Sequence, residues 1–297
     1  MTRVPGSAAV LLALIVSPLG LSVPARAVLM TGEAVAQVPA LPPGARTHWI
    51  VSRPQEIVAY VTFNPAGVRS RLPPTLRFIT VRELASAGVR WAADHLATHP
   101  AHDTWGISFL EIVRMGTFTI DGRAPRWPKD GAAGLWCARV AASNPAADLG
   151  PGQPFLVLDF WMPDSEYVAY MDARGHYATY GEVGLFQDRD GRWHGSVRTE
   201  GLTLAAQCAP TGPIAGGPGA AGMQVFFPPL SSSVASIVRV AFAGHRVQEC
   251  RSDESWSLRG THPLAGSMVL RPSNFEFGYD LAGGAYPLKP PEDSLPR

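Results

Sequence analysis

Lysine is what this chain has least of. Of its 25 basic residues only two, Lys129 and Lys289, are lysine. Any chemistry that needs an amine nucleophile from a side chain is therefore confined to those positions. Charge is also sparse, at 16% of residues with a formal net charge of +1. Such a near-neutral balance gives no footprint for nucleic acid or for an anionic membrane surface. There are three cysteines and no C-x-x-C pair, which removes the common zinc and thioredoxin-type patterns. No G-x-S-x-G elbow is present, so serine hydrolysis on that pattern is excluded. The Gly-rich run "AGGPGAAG" is broken by proline and lacks the lysine of a phosphate loop. Long hydrophobic runs are missing too. "AAVLLALIV", Ala8 to Val16, is about half of the ~20 residues that a membrane helix needs.

What is present begins with that short run. Arg3 precedes it, Pro18 and Gly20 break it, and "VPARA" follows with Ala25 and Ala27 at small-residue cleavage positions. This is the pattern of a secretory signal peptide over residues 1–27, and it predicts a periplasmic or secreted protein with no stable membrane span after cleavage. Cleavage after Ala27 leaves 270 residues (297 − 27). Residues 28–46 are rich in Ala, Pro and Gly without periodicity and read as a flexible arm. The rest, 47–297, is 250-odd residues with enough apolar content for one sizeable core, and is read as a single β-rich domain.

Export makes a disulfide admissible among Cys137, Cys208 and Cys250, with three pairings open. Cys137 sits in the apolar "LWCARV" and reads as a buried small hydrophobe. Cys208 and Cys250 lie nearer polar strand ends, and theirs is the favoured bridge.

One main helix is expected near residues 80–99. Thr80 and Glu83 form a capping-box pattern, Val81, Leu84, Ala85, Gly88, Ala92 and Leu96 make an apolar stripe, and Pro100 stops it. After it come short runs rich in aromatic and β-branched residues: "WGISFLEIV", "GTFTID", "GLWCARVAA", "PFLVLDFWM", "EYVAYMD", "HYATYGEVGLFQD", "RWHGSVRT", "LTLAAQC", "MQVFF", "ASIVRVAFA", "SWSLRG" and "NFEFGYDL". Asp190-Gly191 marks a hairpin, "MDARGHY" another reversal, and Ala209 to Gly222 a flexible loop. The fold class that follows is β-rich α+β: a large antiparallel β structure, curled or closed like a cone or barrel.

His95 and His99 are four apart on the helix, a metal-ligand spacing. Without the glutamate of H-E-x-x-H they read as a solvated helix end where cations suit the dipole, and no metal or other cofactor is expected. Asp159 and Glu166 would support glycoside chemistry only if the fold converged them.

"EIVAYVTFNPAGVRSRLPPTLRF" carries the one resemblance. A β-branched strand runs into a basic, proline-paired loop, which resembles the early segment of acetoacetate decarboxylase-like proteins, with Asn64 in the usual Asp place and Thr75 in the usual Gly place. "WGISFLEIV" looks like that family's glutamate-bearing strand, with Glu111 in the role, and "GTHPLAGSMVLRPSNFEFGYDL" is similar in style to its closing strands. The resemblance spans roughly residues 48–281. It implies a closed, cone-like β structure around an apolar pocket. In active members a lysine condenses with a keto group and the iminium accepts electrons as carbon dioxide leaves. That amine must be neutral, through desolvation or a neighbouring cation, as acetoacetate decarboxylase itself exemplifies.

The family's "GRE-x-W-G-x-P-K" pattern has its nearest match in "GRAPRWPK", Gly122 to Lys129, which lacks the Glu, is one residue short and follows Glu111 too closely. Asp130 is adjacent and favours the ammonium form. Lys289 lies in a Pro-rich tail. The expected site is Glu111 with Lys129 as the catalytic candidates and Arg53 with Tyr60 as substrate-binding residues. Arg53, Tyr60 and Glu111 are expected to line one interior pocket, with Arg53 pairing Glu111. The expected partner is a small organic (keto) acid or apolar ligand, and self-association stays open. The leading reading is a binding protein without classical decarboxylase activity. A Schiff-base lyase of decarboxylase or aldolase type using Lys129 is the alternative, and a non-catalytic periplasmic binding or scaffold protein the third.

Overall fold

A computed structural model describes residues 47–128, 131–145, 149, 153–216, 221–228, 236–251, 254–270 and 273–287. The expected signal peptide, 1–27, and the expected arm, 28–46, fall outside these residues, as do Lys129 and Lys289. Among the described residues no helix is long and apolar enough to cross a membrane.

The strands, in chain order, are β1 (Thr47–Ser52), β2 (Gln55–Phe63), β3 (Leu76–Phe78), β4 (Gly106–Arg114), β5 (Thr117–Ile120), β6 (Ala133–Ala142), β7 (Gln153–Met162), β8 (Thr179–Tyr180), β9 (Glu182–Gln187), β10 (Trp193–Arg198), β11 (Leu202–Cys208), β12 (Pro210–Gly216), β13 (Ala221–Phe227), β14 (Ser236–Ala243), β15 (Arg246–Cys250), β16 (Ser255–Gly260), β17 (Met268–Val269), β18 (Asn274–Phe277) and β19 (Asp280–Pro287). The helices are α1 (Val81–Ser86), α2 (Arg90–Thr98) and α3 (Ser165–Asp172). The larger of two sheets has 15 strands and runs β12-β15-β18-β2-β4-β6-β7-β13-β14-β19-β1-β5 along its main path. The smaller runs β16-β11-β10-β9. Pairing is antiparallel except for β7 with β13 and with β8.

Alternation along the central strands builds two cores. Ile57, Val61, Leu110, Ile112, Trp136 and Leu156 face the small sheet and pack with Leu185, Trp193, Val197 and Leu204. The opposite face carries Val58, Phe109, Val113, Cys137, Phe155 and Val157. Those pack with Trp49 and Val51 of β1 and Phe118 and Ile120 of β5, from the far end of the strand order. The large sheet therefore curls until its distant strands share one core. Its strand order still has two ends among the described residues, β12 and β5, so the β-rich class stands without a hydrogen-bonded closure.

Three local expectations are corrected. The single helix is two. Thr80 and Glu83 do form the capping box, but Gly88 takes φ +83 and Val89 restarts the chain as the cap of α2. "EYVAYMD" is helix, not strand, because Asp164 caps it, accepting from the backbone N–H of Glu166 and Tyr167. Tyr167 and Met171, four apart, then bury on one face. Within the expected loop Ala209 to Gly222, residues Pro210–Gly216 form β12, an exposed edge strand paired to β15 through a bulge. The Asp190-Gly191 turn joins β9 to β10, with Gly191 at φ +80. Cys208 and Cys250 are joined in a disulfide, and Cys137 is a buried free thiol.

Candidate functional site

β2 carries Glu56, Val58 and Tyr60 at alternate positions on the inner face of the curl. Its register with β4 sets Glu111 opposite Val58 and Phe109 opposite Tyr60. β6 adds Cys137 opposite Phe109. On the other side of β2, Glu276 of β18 lies directly opposite Glu56. Three glutamates thus meet inside an apolar shell. The Tyr279 hydroxyl donates to Glu56 Oε1 at 2.9 Å. His245, at the turn before β15, meets Glu276 Oε2 with its Nε2, and its ring stands edge-on to Tyr279 at 5.2 Å between centroids.

Burial and like charge decide the protonation here. Burial first, then the charges of Glu111 and Glu276, holds Glu56 well above the usual carboxylate range. Burial first, then Glu276, pushes Glu111 up to about 8. Glu111 is therefore mostly a neutral acid at pH 7 and can donate a proton. For His245 burial works against the imidazolium, but the hydrogen bond and charge of Glu276 overcome it and raise its affinity for a proton. Burial, with Glu111 nearby, raises Cys137 well above the usual thiol range, so that thiol is inert.

Tyr60 connects this cluster to a cation. Burial and the Glu276 charge raise its phenol, and Arg139 on β6 opposes them. Arg139 donates through Nη1 to Gln153 Oε1 at 2.9 Å and lies 5.4 Å from the centroid of Phe155. Its buried Nε has no hydrogen-bond partner. An open guanidinium donor above an aromatic ring, beside a phenol, suits a planar carboxylate.

The expected residues divide. Tyr60 and Glu111 are on neighbouring inner-face positions of β2 and β4. Arg53 is not with them. It is exposed on the β1–β2 turn at φ +46, its N–H bonded to the Tyr279 carbonyl. The expected Arg53–Glu111 pairing is not what the structure places there: Arg53 is exposed between β1 and β2, which pair with other strands and not with each other, and the inner-face cation is Arg139. Lys129 lies outside the described residues. Pro128 before it lines a surface cleft of about 570 Å³ over the small sheet, with Pro163, Glu182 and Arg198. Sequence reading missed Glu56, Arg139, His245, Glu276 and Tyr279. The signal that singled out Glu111, a lone charge in an apolar strand, is equally present in "QEIVAYVTF", "LWCARVAA" and "NFEFGY".

The proline-paired loop builds a second constellation. Asn64 caps a 3-10 turn over Pro65–Arg71, accepting from the N–H of Ala66 at 3.0 Å. Arg71 at its end donates to Asp159 Oδ2 at 2.7 Å and to the Leu158 carbonyl. Asp159 also meets His262 Nε2 at 3.1 Å and accepts from the Tyr177 hydroxyl at 3.2 Å. Arg71, Leu72, Pro73, Pro74 and Tyr177 line a cavity of about 270 Å³. Asp159 and Glu166 are not converged: Asp159 is buried, while Glu166 is exposed on α3 and pairs with Arg126 at 3.4 Å. His95, His99 and His102 form a cluster with centroids 5.0–5.2 Å apart, His102 stacking on Trp105 at 3.6 Å.

No family model and no curated protein matches the chain. Solved structures do. It is similar to an acetoacetate decarboxylase at a TM-score of 0.50 and 11% identity, covering 84% of this chain and 91% of that one. An acetoacetate decarboxylase from Legionella pneumophila is similar at 0.49 and 12%, covering 86% of this chain and 93% of that one. An acetoacetate decarboxylase-like enzyme from Sphingomonas wittichii is similar at 0.48 and 13%, covering 86% and 99%. At such identities what is shared is the path of the chain, and the fold of this protein is acetoacetate decarboxylase-like.

Proposed function

We propose that this is an exported acetoacetate decarboxylase-like protein that binds a small organic acid, of the keto-acid class, on the inner face of its curled sheet without Schiff-base decarboxylation. The observation that carries the reading is Arg139: a guanidinium with an open buried Nε, over the Phe155 ring and near enough to Tyr60 to act on its phenol. It supplies the carboxylate recognition first expected of Arg53. The neutral acid Glu111 and the apolar residues Phe109 and Val58 suit the uncharged remainder of such a ligand. The sequence has only two lysines, Lys129 in a segment that departs from the family's lysine pattern and Lys289 in a Pro-rich tail, and an arginine stays protonated and cannot attack a ketone. The Cys208–Cys250 disulfide suits an oxidising compartment and supports export.

The test uses mature protein with pyruvate and acetoacetate. Calorimetric binding is expected, weakened more than ~10-fold in Arg139→Gln, the loss of about 1.4 kcal/mol or more expected of a charge-assisted pair. Borohydride treatment with either acid is expected to leave the mass unchanged. An adduct, with carbon dioxide release that vanishes in Lys129→Ala, overturns the reading and makes Lys129 the nucleophile. Mature protein from the native envelope that still carries Met1 removes the export half.

A further inference from the structure

Glu56, Glu276 and His245 come from three separate segments: two paired strands, and a turn shaped by Gly244 at φ +82. One ligand atom from each lies within 4.8 Å of the others, and among the described residues this is the one group of three or more such side chains so placed. Two features point past a plain ion pair. Glu56 is 2% exposed, and while its Oε1 takes the Tyr279 hydroxyl, its Oε2 makes no hydrogen bond of normal geometry, with the Glu111 carboxyl as its near neighbour. A buried carboxylate oxygen left open is costly. The two carboxyls also face each other directly across an antiparallel pair, where both cannot ionise without repulsion unless a cation joins them.

We infer that Glu56, Glu276 and His245 form a binding site for a divalent transition-metal ion, with Tyr279 holding the orientation of the Glu56 carboxylate. A cation at the meeting point of the three ligand atoms takes an oxygen of Glu56 and lets both facing carboxyls ionise as its common ligands. The donor set is two oxygens and one imidazole nitrogen. That mixture suits Zn²⁺ or Mn²⁺ better than Ca²⁺, which takes about 6–8 oxygens, or Cu⁺, which takes sulfur. Three protein ligands leave coordination positions open for water or an exogenous oxygen. The Tyr279–Glu56 hydrogen bond is the kind of outer contact that orients a ligating carboxylate. Arg139 is not one of the three ligands, so Arg139→Gln reads carboxylate binding and Glu56→Gln and His245→Gln read metal binding.

The experiment is calorimetric titration of chelator-treated mature protein with Zn²⁺ and with Mn²⁺ alone. A single saturable equivalent is expected, weakened more than ~10-fold in Glu56→Gln and in His245→Gln, since even loss of an outer contact costs about that much. His95→Gln, in the separate three-histidine cluster, is expected to leave it unchanged. No saturable binding overturns the inference. So does binding that survives both site variants, or binding that disappears in His95→Gln. If either site variant fails to fold by circular dichroism, the wild type decides: the metal must raise its Tm, and an unmoved Tm overturns the inference.

Discussion

The indole N–H of Trp49 on β1 donates to Nε2 of His176 at 3.3 Å, joining residues 127 apart in sequence. His176 must therefore present a lone pair on that nitrogen, which it has only when neutral. It is fully buried, and Phe227 packs against its ring at 5.2 Å between centroids. Burial first, with Arg174 adding to it and Asp121 opposing, pulls its pKa from 6.5 down to about 4.

A pH dependence follows. Between about pH 6.5 and 4 the unfolded chain takes up a proton at His176 that the folded chain refuses. Stability is then lost as pH falls through that window, by roughly 3 kcal/mol at its lower end. Urea unfolding at pH 7 and at pH 4 should show the loss, and His176→Gln should flatten it. An unchanged slope in that variant would assign the acid sensitivity to other groups.

Asp159 anchors the proline-paired loop. It holds Arg71, His262 and Tyr177 at once while nearly fully buried. Asp159→Asn should cost about 2–3 kcal/mol in urea unfolding, somewhat below the ~3–5 for breaking a fully buried pair, because the Arg71 side chain keeps 29% of its exposure. Replacing both partners, as Arg71→Met with Asp159→Leu, should recover part of the loss. A double variant worse than the sum of the singles counts against the pair as the origin of the cost.

Gly260 closes the β11–β16 ladder opposite Leu202 at φ +126. A Cβ there would lie 2.2 Å from the Gly201 carbonyl oxygen, which is backbone and has no rotamer with which to retreat. Gly260→Ala should destabilise by more than the ~1 kcal/mol of an ordinary backbone penalty. Faster amide exchange at Thr203 and Leu202 would mark the lost end of the ladder, and native-like exchange there would contradict it.

Much of the strand content was legible because it lies in local alternation: "QEIVAYVTF" and "GISFLEIVR" each show a face pattern that needs no partner to be read. What failed was arbitration between local signals. Tyr167, Val168 and Tyr170 look like a strand until Asp164 is recognised as a cap. Gly88 is one more small residue in an apolar stripe until the chain must turn there. The site failed differently. Glu111 was found because it is conspicuous within its own strand, and Arg53 was paired with it because Arg53 flanks β2, the strand of Tyr60, in sequence. Which charges share a face depends on register between β2, β4, β6 and β18, segments spread over most of the chain. Arg139 and Glu276 become neighbours of Tyr60 only through that pairing.

The disulfide has a consequence for how damage to this protein would show itself. Cys208 ends a strand of the small sheet and Cys250 a strand of the large one, 42 positions further along the chain. That interval contains β12, β13 and β14, including an exposed edge strand. A protease that severs one peptide bond inside the interval creates two chains that stay covalently one molecule. The nicked species would co-migrate with intact protein until a reductant is added, and only then separate into two bands. A clipped population can thus accumulate in an oxidising compartment while the molecule keeps its mass to within one added water.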